Sequence, residues 1–285
     1  MEKLIDKVFN QDCSTTLKKK NLSYDYVLTS YPEYDELDLK PKKDDRKYFD
    51  LMSKLPALLD PKSHFVTFIQ TDRKHNGIIQ THVALTKVFE DQGYKLHSQK
   101  IWVKSLKADL YRLTYAFILT FARKGYKQNN IKEFKPDVFQ VEHEEYEGFR
   151  NSFPLEIAKL CIENHSKKGG IVYDPFFGVG TTGVAAFETG RHYIGSEINK
   201  KNFVKARKRI KASVKDKENR KKQNIKAKPK KVTKLYESKN ATKGKAKPKK
   251  VTIKAKPKKV TKLYKSKNAT KGKATKSKKK EPQKG

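Results

Sequence analysis

The sequence predicts an α/β fold, a mostly parallel sheet with helices on both faces, followed by a disordered basic tail. Three observations carry the prediction. Apolar runs rich in β-branched and aromatic residues alternate along the body with amphipathic segments of helical period. One of those runs passes directly into a glycine loop and a helix, the turn expected of a parallel βα unit. Charge then segregates sharply towards the C-terminal end.

In chain order, the candidate strands are Tyr24–Thr29 (YDYVLT), His64–Gln70 (HFVTFIQ), Leu96–Val103 (LHSQKIWV), Tyr115–Arg123 (YAFILTFAR), Gly170–Asp174 (GIVYD) and His192–Glu197 (HYIGSE). Helices are expected between and after them at Asp44–Leu59, Gln80–Gln92, Pro154–His165, Thr181–Thr189 and Asn199–Lys211. Such strands pair in parallel because each connecting helix folds back over one face of the sheet. Ligands in such sheets bind at the carboxyl ends of the strands, which directs attention to the residues just after each run.

Of the 285 residues, 67 are Lys or Arg and 31 are Asp or Glu, a formal charge of +36. Residues 211–285 hold about 31 of the basic and about 4 of the acidic residues, hence about +27, leaving about +9 for the body. The division is therefore a globular domain over 1–210 and a Lys-rich tail over 211–285, too polar to bury a core. The tail repeats itself: KAKPKKVTKLYESKNATKGKA at 226–246 returns at 254–274 with Lys265 in place of Glu237, and KAKPKKVT stands again at 245–252. Such a chain attracts polyanions by counterion release without reading sequence, so non-specific nucleic-acid affinity is expected of it.

Cys13 and Cys161 are isolated, which speaks against a disulfide framework, and the seven histidines have no ligand spacing, so no metal is expected. MEKLIDKVFNQD carries charges where a signal peptide needs an apolar run. Ala116–Ala122 is too short to span a bilayer. An intracellular protein, cytoplasmic or nuclear and without membrane association, is expected.

The strongest chemical signal is IVYDPFFGVGTTGVAAFETG, 171–190, in which a strand meets Gly178 and Gly180 and a helix opens on Thr181 and Thr182. Glycines there let backbone approach a ligand, and the unpaired amides at a helix start suit a carboxylate or phosphate. The next strand ends about 17 residues after Gly180 in Glu197, well placed to accept from a ribose diol. This strand, loop, helix and strand with a terminal carboxylate form a Rossmann-like nucleotide unit.

DPFFGVGTTGVAAFETGRHYIGSEI resembles the S-adenosylmethionine segment of the amino-group DNA methyltransferases, in the permuted order that places the catalytic segment first. FNQDCSTTLKK, 9–19, is similar to the segment whose aspartate, here Asp12, binds the adenine of the cofactor. NSFPLEIAKLCIENHS, 151–166, is similar to the segment that packs around the methionine moiety. The resemblance covers most of 5–210 and implies S-adenosylmethionine as cofactor and double-stranded DNA as partner. The implied cofactor set is Asp12, Ser152, Phe153, Asp174, Phe176, Gly178, Gly180, Thr181, Thr182 and Glu197.

TSYPEY, 29–34, then falls where the family has a serine or aspartate, two prolines and an aromatic residue, so the implied catalytic residues are Ser30, Tyr31, Pro32, Glu33 and Tyr34. A base amine is a poor nucleophile because its lone pair is delocalised into the ring. Two acceptors that hold its N–H groups favour a pyramidal nitrogen. Ser30 keeps the first acceptor and the Tyr31 carbonyl the second, while Pro32 biases Tyr31 towards extended backbone. Glu33 stands where the family ring stacks on the flipped base, and Tyr34, Tyr31 or the Glu33 carboxylate itself is left to meet the base there. Serine in first position favours cytosine N4 slightly over adenine N6.

Cytosine C5 chemistry needs a thiolate in a proline loop, and neither cysteine has that neighbour; Cys13 reads as a strand-end residue and Cys161 as part of an apolar helix face with Ile157 and Leu160. The spare segments Asp35–Lys47, Lys104–Arg112 and Lys124–Arg150 are short, which implies low or short-site specificity with affinity supplied by the tail. Trp102 and Lys104 begin a basic and aromatic strip suited to phosphates. RNA or protein methylation on the same fold, and a catalytically impaired DNA binder, are the alternative functions.

Overall fold

A computed structural model describes residues 4–226, apart from 41–42, 75–76, 108, 110–111, 127–134, 144 and 150–151. The repeats of the Lys-rich tail lie outside the described residues. The elements in chain order are β1 (Lys7–Phe9), α1 (Cys13–Leu17), β2 (Tyr26–Thr29), α2 (Asp45–Leu58), β3 (Phe65–Gln70), β4 (Arg73–Lys74), β5 (Ile78–Ile79), α3 (Thr81–Asp91), β6 (Tyr94–Val103), β7 (Tyr115–Arg123), β8 (Val138–Gln140), α4 (Leu155–His165), β9 (Ile171–Asp174), α5 (Thr181–Glu188), β10 (His192–Ser196) and α6 (Lys200–Lys226).

Eight strands form one sheet in the order β1-β10-β9-β2-β3-β7-β6-β8. Only β7 runs against the others: it is antiparallel to β3 and β6, and every other pairing in this sheet is parallel. β2 and β3 lie at the centre with every residue buried, which is why their sequences are apolar without alternation. A core of Tyr26, Leu28, Ile118 and Val172 packs one face against Ile157 and Cys161 of α4, Val184 of α5 and Ala206 of α6. Val27, Phe68, Leu119 and Tyr173 pack the other face against Met52 of α2 and Phe89 of α3, with Cys13 and Leu17 of α1 alongside.

All six expected strands and five expected helices form, with ends shifted by a few residues except at α6. That helix runs on to Lys226 rather than stopping near Lys211, since Lys, Arg, Ala and Glu are strong helix formers and the first proline beyond it is Pro229. Its later turns are docked: Ser213 Oγ donates to Glu188 Oε1 at 3.2 Å and Lys217 Nζ to Phe187 O at 2.8 Å. Sequence patterns missed β1 and β8, three-residue edge strands, and the two-stranded ribbon β4–β5. Cys13 is not a strand end: Asp12 caps α1, its Oδ1 accepting from Ser14 N at 2.8 Å, so Cys13 opens a helix. No helix among the described residues is long and apolar enough to cross a membrane.

Candidate active site

The site forms where β2 and β9 end side by side. Thr29 Oγ1, the last residue of β2, donates to Asp174 Oδ1 at 2.5 Å, and Thr182 Oγ1 donates to Asp174 Oδ2 at 2.7 Å. Phe176 N donates to the same carboxylate at 3.0 Å. Asp174 thus ties the start of the loop carrying Ser30 to the glycine loop and to the first turn of α5. Its complete burial lifts the carboxyl to about 6, against which these three hydrogen bonds pull.

A cleft of about 230 Å³ opens over this hub. Nine of the ten residues assigned to the cofactor from sequence line it; Gly180 does not. Gly180 has φ +84° and caps α5, and a β-carbon there would stand 3.1 Å from Ala206 Cβ, so its glycine serves the packing of α5 on α6. Glu197 is 8% exposed, with Oε2 accepting from Gly178 N and Oε1 from Asn199 N, both at 2.7 Å. Burial pushes its carboxyl up to about 7 despite those two donors. Each oxygen keeps acceptor capacity towards the cleft, as a vicinal diol requires. Thr181 Oγ1 accepts from Arg209 Nη1 at 2.8 Å, which joins α6 to the rim.

A second, smaller cleft of about 70 Å³ adjoins the first, and Ser30, Glu36, Ser152 and Phe153 line both. Ser30 therefore sits on the seam. Tyr31, Glu33, Trp102, Lys104 and His143 line the second cleft further out.

The loop carrying Ser30 is held firmly from behind. Tyr48 Oη donates to Pro32 O at 3.1 Å, and Glu33 N donates to Glu36 Oε2 at 2.8 Å ahead of a single 3-10 turn, Asp35–Leu37. Tyr34 is fully buried, its ring stacked on Tyr48 at 3.9 Å with the Arg73 guanidinium 5.4 Å over it, and it lines neither cleft. Tyr31 stands edge-on to Tyr48 and Phe176 at 5.4 and 5.1 Å and presents part of itself to the second cleft. Glu33 Oε2 lies 2.7 Å from Arg73 Nη1, with both side chains about three-quarters buried. Burial raises the Glu33 carboxyl, and the charges of Arg73 and Lys104 oppose that rise.

Burial disfavours the thiolate form at both cysteines. It lifts both thiols to about 12, and Cys161 packs within α4 as expected. Arg73 was not found from sequence, because nothing local marks it and its partner lies on another element. Trp102 and Lys104 carried a signal, since they sit at the carboxyl end of a parallel strand. Trp102 Nε1 donates to Val141 O at 2.7 Å and its ring lies parallel to His143 at 6.0 Å.

A family model described as DNA methylase matches residues 25–208. The type II methyltransferase M.SmaI of Serratia marcescens is 37% identical over 156 residues, 48% of this chain and 53% of that protein. The DNA adenine methyltransferase YhdJ of Escherichia coli (strain K12) is 25% identical over 193 residues, 66% of this chain and 60% of that protein. The chain thus spans about half the length of the curated relatives it matches. Among solved structures, TTHA0409 of Thermus thermophilus, a putative DNA modification methylase complexed with S-adenosyl-L-methionine, superposes with a TM-score of 0.59 at 18% identity. That match covers 73% of this chain and 95% of that one, which establishes the likeness of fold.

Proposed function

The chain belongs to the DNA methylase family of N6- and N4-amino methyltransferases, and on that premise we propose that it transfers a methyl group from S-adenosylmethionine to an exocyclic amine of a DNA base. The observation that carries the proposal is the place of Ser30 on the seam of two clefts, one built around Glu197 and the glycine loop and the other lined by rings and polar groups.

The residues of the first cleft fit the cofactor. Glu197 is a buried carboxylate with acceptor capacity left for a ribose diol, Asp12 and Phe176 are available to the adenine, and Ser152 and Phe153 close the end nearest Ser30. S-adenosylmethionine bound there supplies an electrophilic methyl group. Ser30 Oγ and the Tyr31 carbonyl then accept from the two amine N–H groups, drawing the nitrogen towards a pyramidal form with its lone pair directed across the seam. Pro32 and the ring contacts of Tyr31 hold that carbonyl in place. A residual proton leaves the methylated nitrogen to solvent.

Cytosine N4 is preferred to adenine N6 on the strength of serine in the first motif position. Double-stranded DNA is the substrate, with low or short-site specificity, and the basic tail that follows α6 adds sequence-independent affinity. The test is transfer of labelled methyl groups to DNA, RNA and protein by the intact chain, with mass analysis of the nucleosides formed. Label should enter DNA as a methylated amino base, and Ser30→Ala should lower turnover by about 10²–10³ with unchanged cofactor affinity. Full incorporation in Ser30→Ala, or label in RNA or protein alone, overturns the reading.

A further inference from the structure

A third cleft, of about 410 Å³, lies between the β4–β5 ribbon and the loop that joins β6 to β7. It continues the second one, for Glu33, Thr71, Lys104 and His143 line both. The ribbon contributes Arg73 and Lys74, and the loop contributes Lys104, Lys107 and Arg112. The carboxylates around it have partners of their own. Glu33 and Asp35 face Arg73 at 2.7 and 3.4 Å. The buried Asp72 accepts from His82 N at 3.0 Å and meets the His82 ring at 2.6 Å. Asp109 Oδ1 accepts from Arg112 N at 2.9 Å. The side chains of Lys107 and Arg112 are exposed, and Lys104 lies half-buried at the mouth, donating to Thr71 Oγ1 at 2.9 Å.

We propose that this groove takes the sugar-phosphate backbone flanking the target nucleotide, with Lys104 at the mouth and Lys107 and Arg112 along the outer wall. The inference rests on the reading of the protein as a DNA amino-methyltransferase and adds where the substrate strand runs. A base turned out of its stack into the second cleft leaves its own phosphates at the mouth, where the shared residues stand. Phosphates there need cations, and among the described residues the lysine common to both clefts is Lys104, whose ammonium burial has partly stripped of water. A phosphate oxygen adds a second negative partner for that desolvated ammonium, which the Glu33 carboxylate, itself bound by Arg73, already favours. The groove is distinct from the Lys-rich tail, and it binds the strand next to the chemistry rather than the duplex at large.

The test uses the full chain and a duplex in which the position of the methylated base has been mapped by sequencing of the methylated product. Binding is followed against salt for wild type, Lys104→Gln and the pair Lys107→Gln/Arg112→Gln. The slope of log K against log salt should fall by about one for the single variant and about two for the pair, with KM for DNA raised about tenfold and cofactor Kd unchanged. Replacing the phosphates flanking the target base by methylphosphonates should weaken wild type by about tenfold and Lys104→Gln hardly at all. Unchanged slope and KM in both variants, or an equal methylphosphonate loss in wild type and variant, overturns the proposal. Absence of methyl transfer to any DNA overturns the parent reading instead, and it is seen before variants are compared.

Discussion

Cofactor affinity should depend on pH through Glu197. Its carboxyl is pushed up to about 7 by burial, yet it must be ionised to accept from two ribose hydroxyls while still accepting from Gly178 N and Asn199 N. If the bound complex returns the group to its ordinary 4.5, each pH unit below 7 costs about 1.4 kcal/mol of binding. The Kd for S-adenosylhomocysteine, a non-reacting stand-in for the cofactor, should rise about tenfold between pH 8 and 6 and approach a hundredfold at pH 5. Stability of the free protein moves the opposite way. A folded-state value raised above the unfolded one gives stabilisation that is complete below 4.5 and is lost as pH rises through 7, here about 3 kcal/mol. Calorimetric titrations from pH 5 to 8, in buffers of different ionisation enthalpy, measure both the Kd and the proton released. Glu197→Gln should bind weakly and with no slope in this range. A wild-type Kd constant within threefold, or a Gln variant that keeps the slope, refutes the role given to Glu197.

Gly195 should tolerate no side chain, since a β-carbon would lie 2.2 Å from Phe177 Cδ2; Gly195→Ala should cost about 1–3 kcal/mol, and an unchanged melting temperature refutes the packing argument. Arg73 touches three consecutive loop residues, the Glu33 and Asp35 carboxylates and the Tyr34 ring, so Arg73→Ala should lower turnover about tenfold while leaving cofactor Kd alone. Wild-type turnover in that variant would show the clamp to be idle. Truncation after Lys226, which keeps the docked Ser213 and Lys217, should weaken DNA binding and flatten its salt dependence with cofactor affinity intact. Loss of cofactor binding on that truncation refutes the division of labour between domain and tail.

Most of the architecture was legible because it follows from local rules. The period of apolar residues marked every long strand and helix of the body. Glycines in a strand-to-helix turn pointed to a cleft, and nine of the ten residues chosen for the cofactor line one cavity. The rest failed for identifiable reasons. β1 and β8 are three residues long, too short to show a period, and are held by pairing with β10 and β6. Gly180 reads as a ligand glycine but does not line that cavity, and its left-handed φ of +84° and the nearness of Ala206 on a later helix both constrain it. Residue order left Tyr34 as a replacement for the missing ring, because only the fold reveals Tyr48 stacked beneath it.

TSYPEY shows where that boundary falls. Sequence alone determined that Ser30 follows a buried strand, that a proline fixes the next turn, and that the fourth motif position is acidic, since these are matters of residue type and order. Tertiary structure decided what the acidic residue does. Register between β2 and β3 brings the loop carrying Ser30 within reach of a ribbon about 40 residues away, so Glu33 meets Arg73. The same sheet order sets Ser30 between two clefts and Lys104 between the next two. Contacts between residues far apart in the chain depend on strand order and register, and no local pattern encodes those.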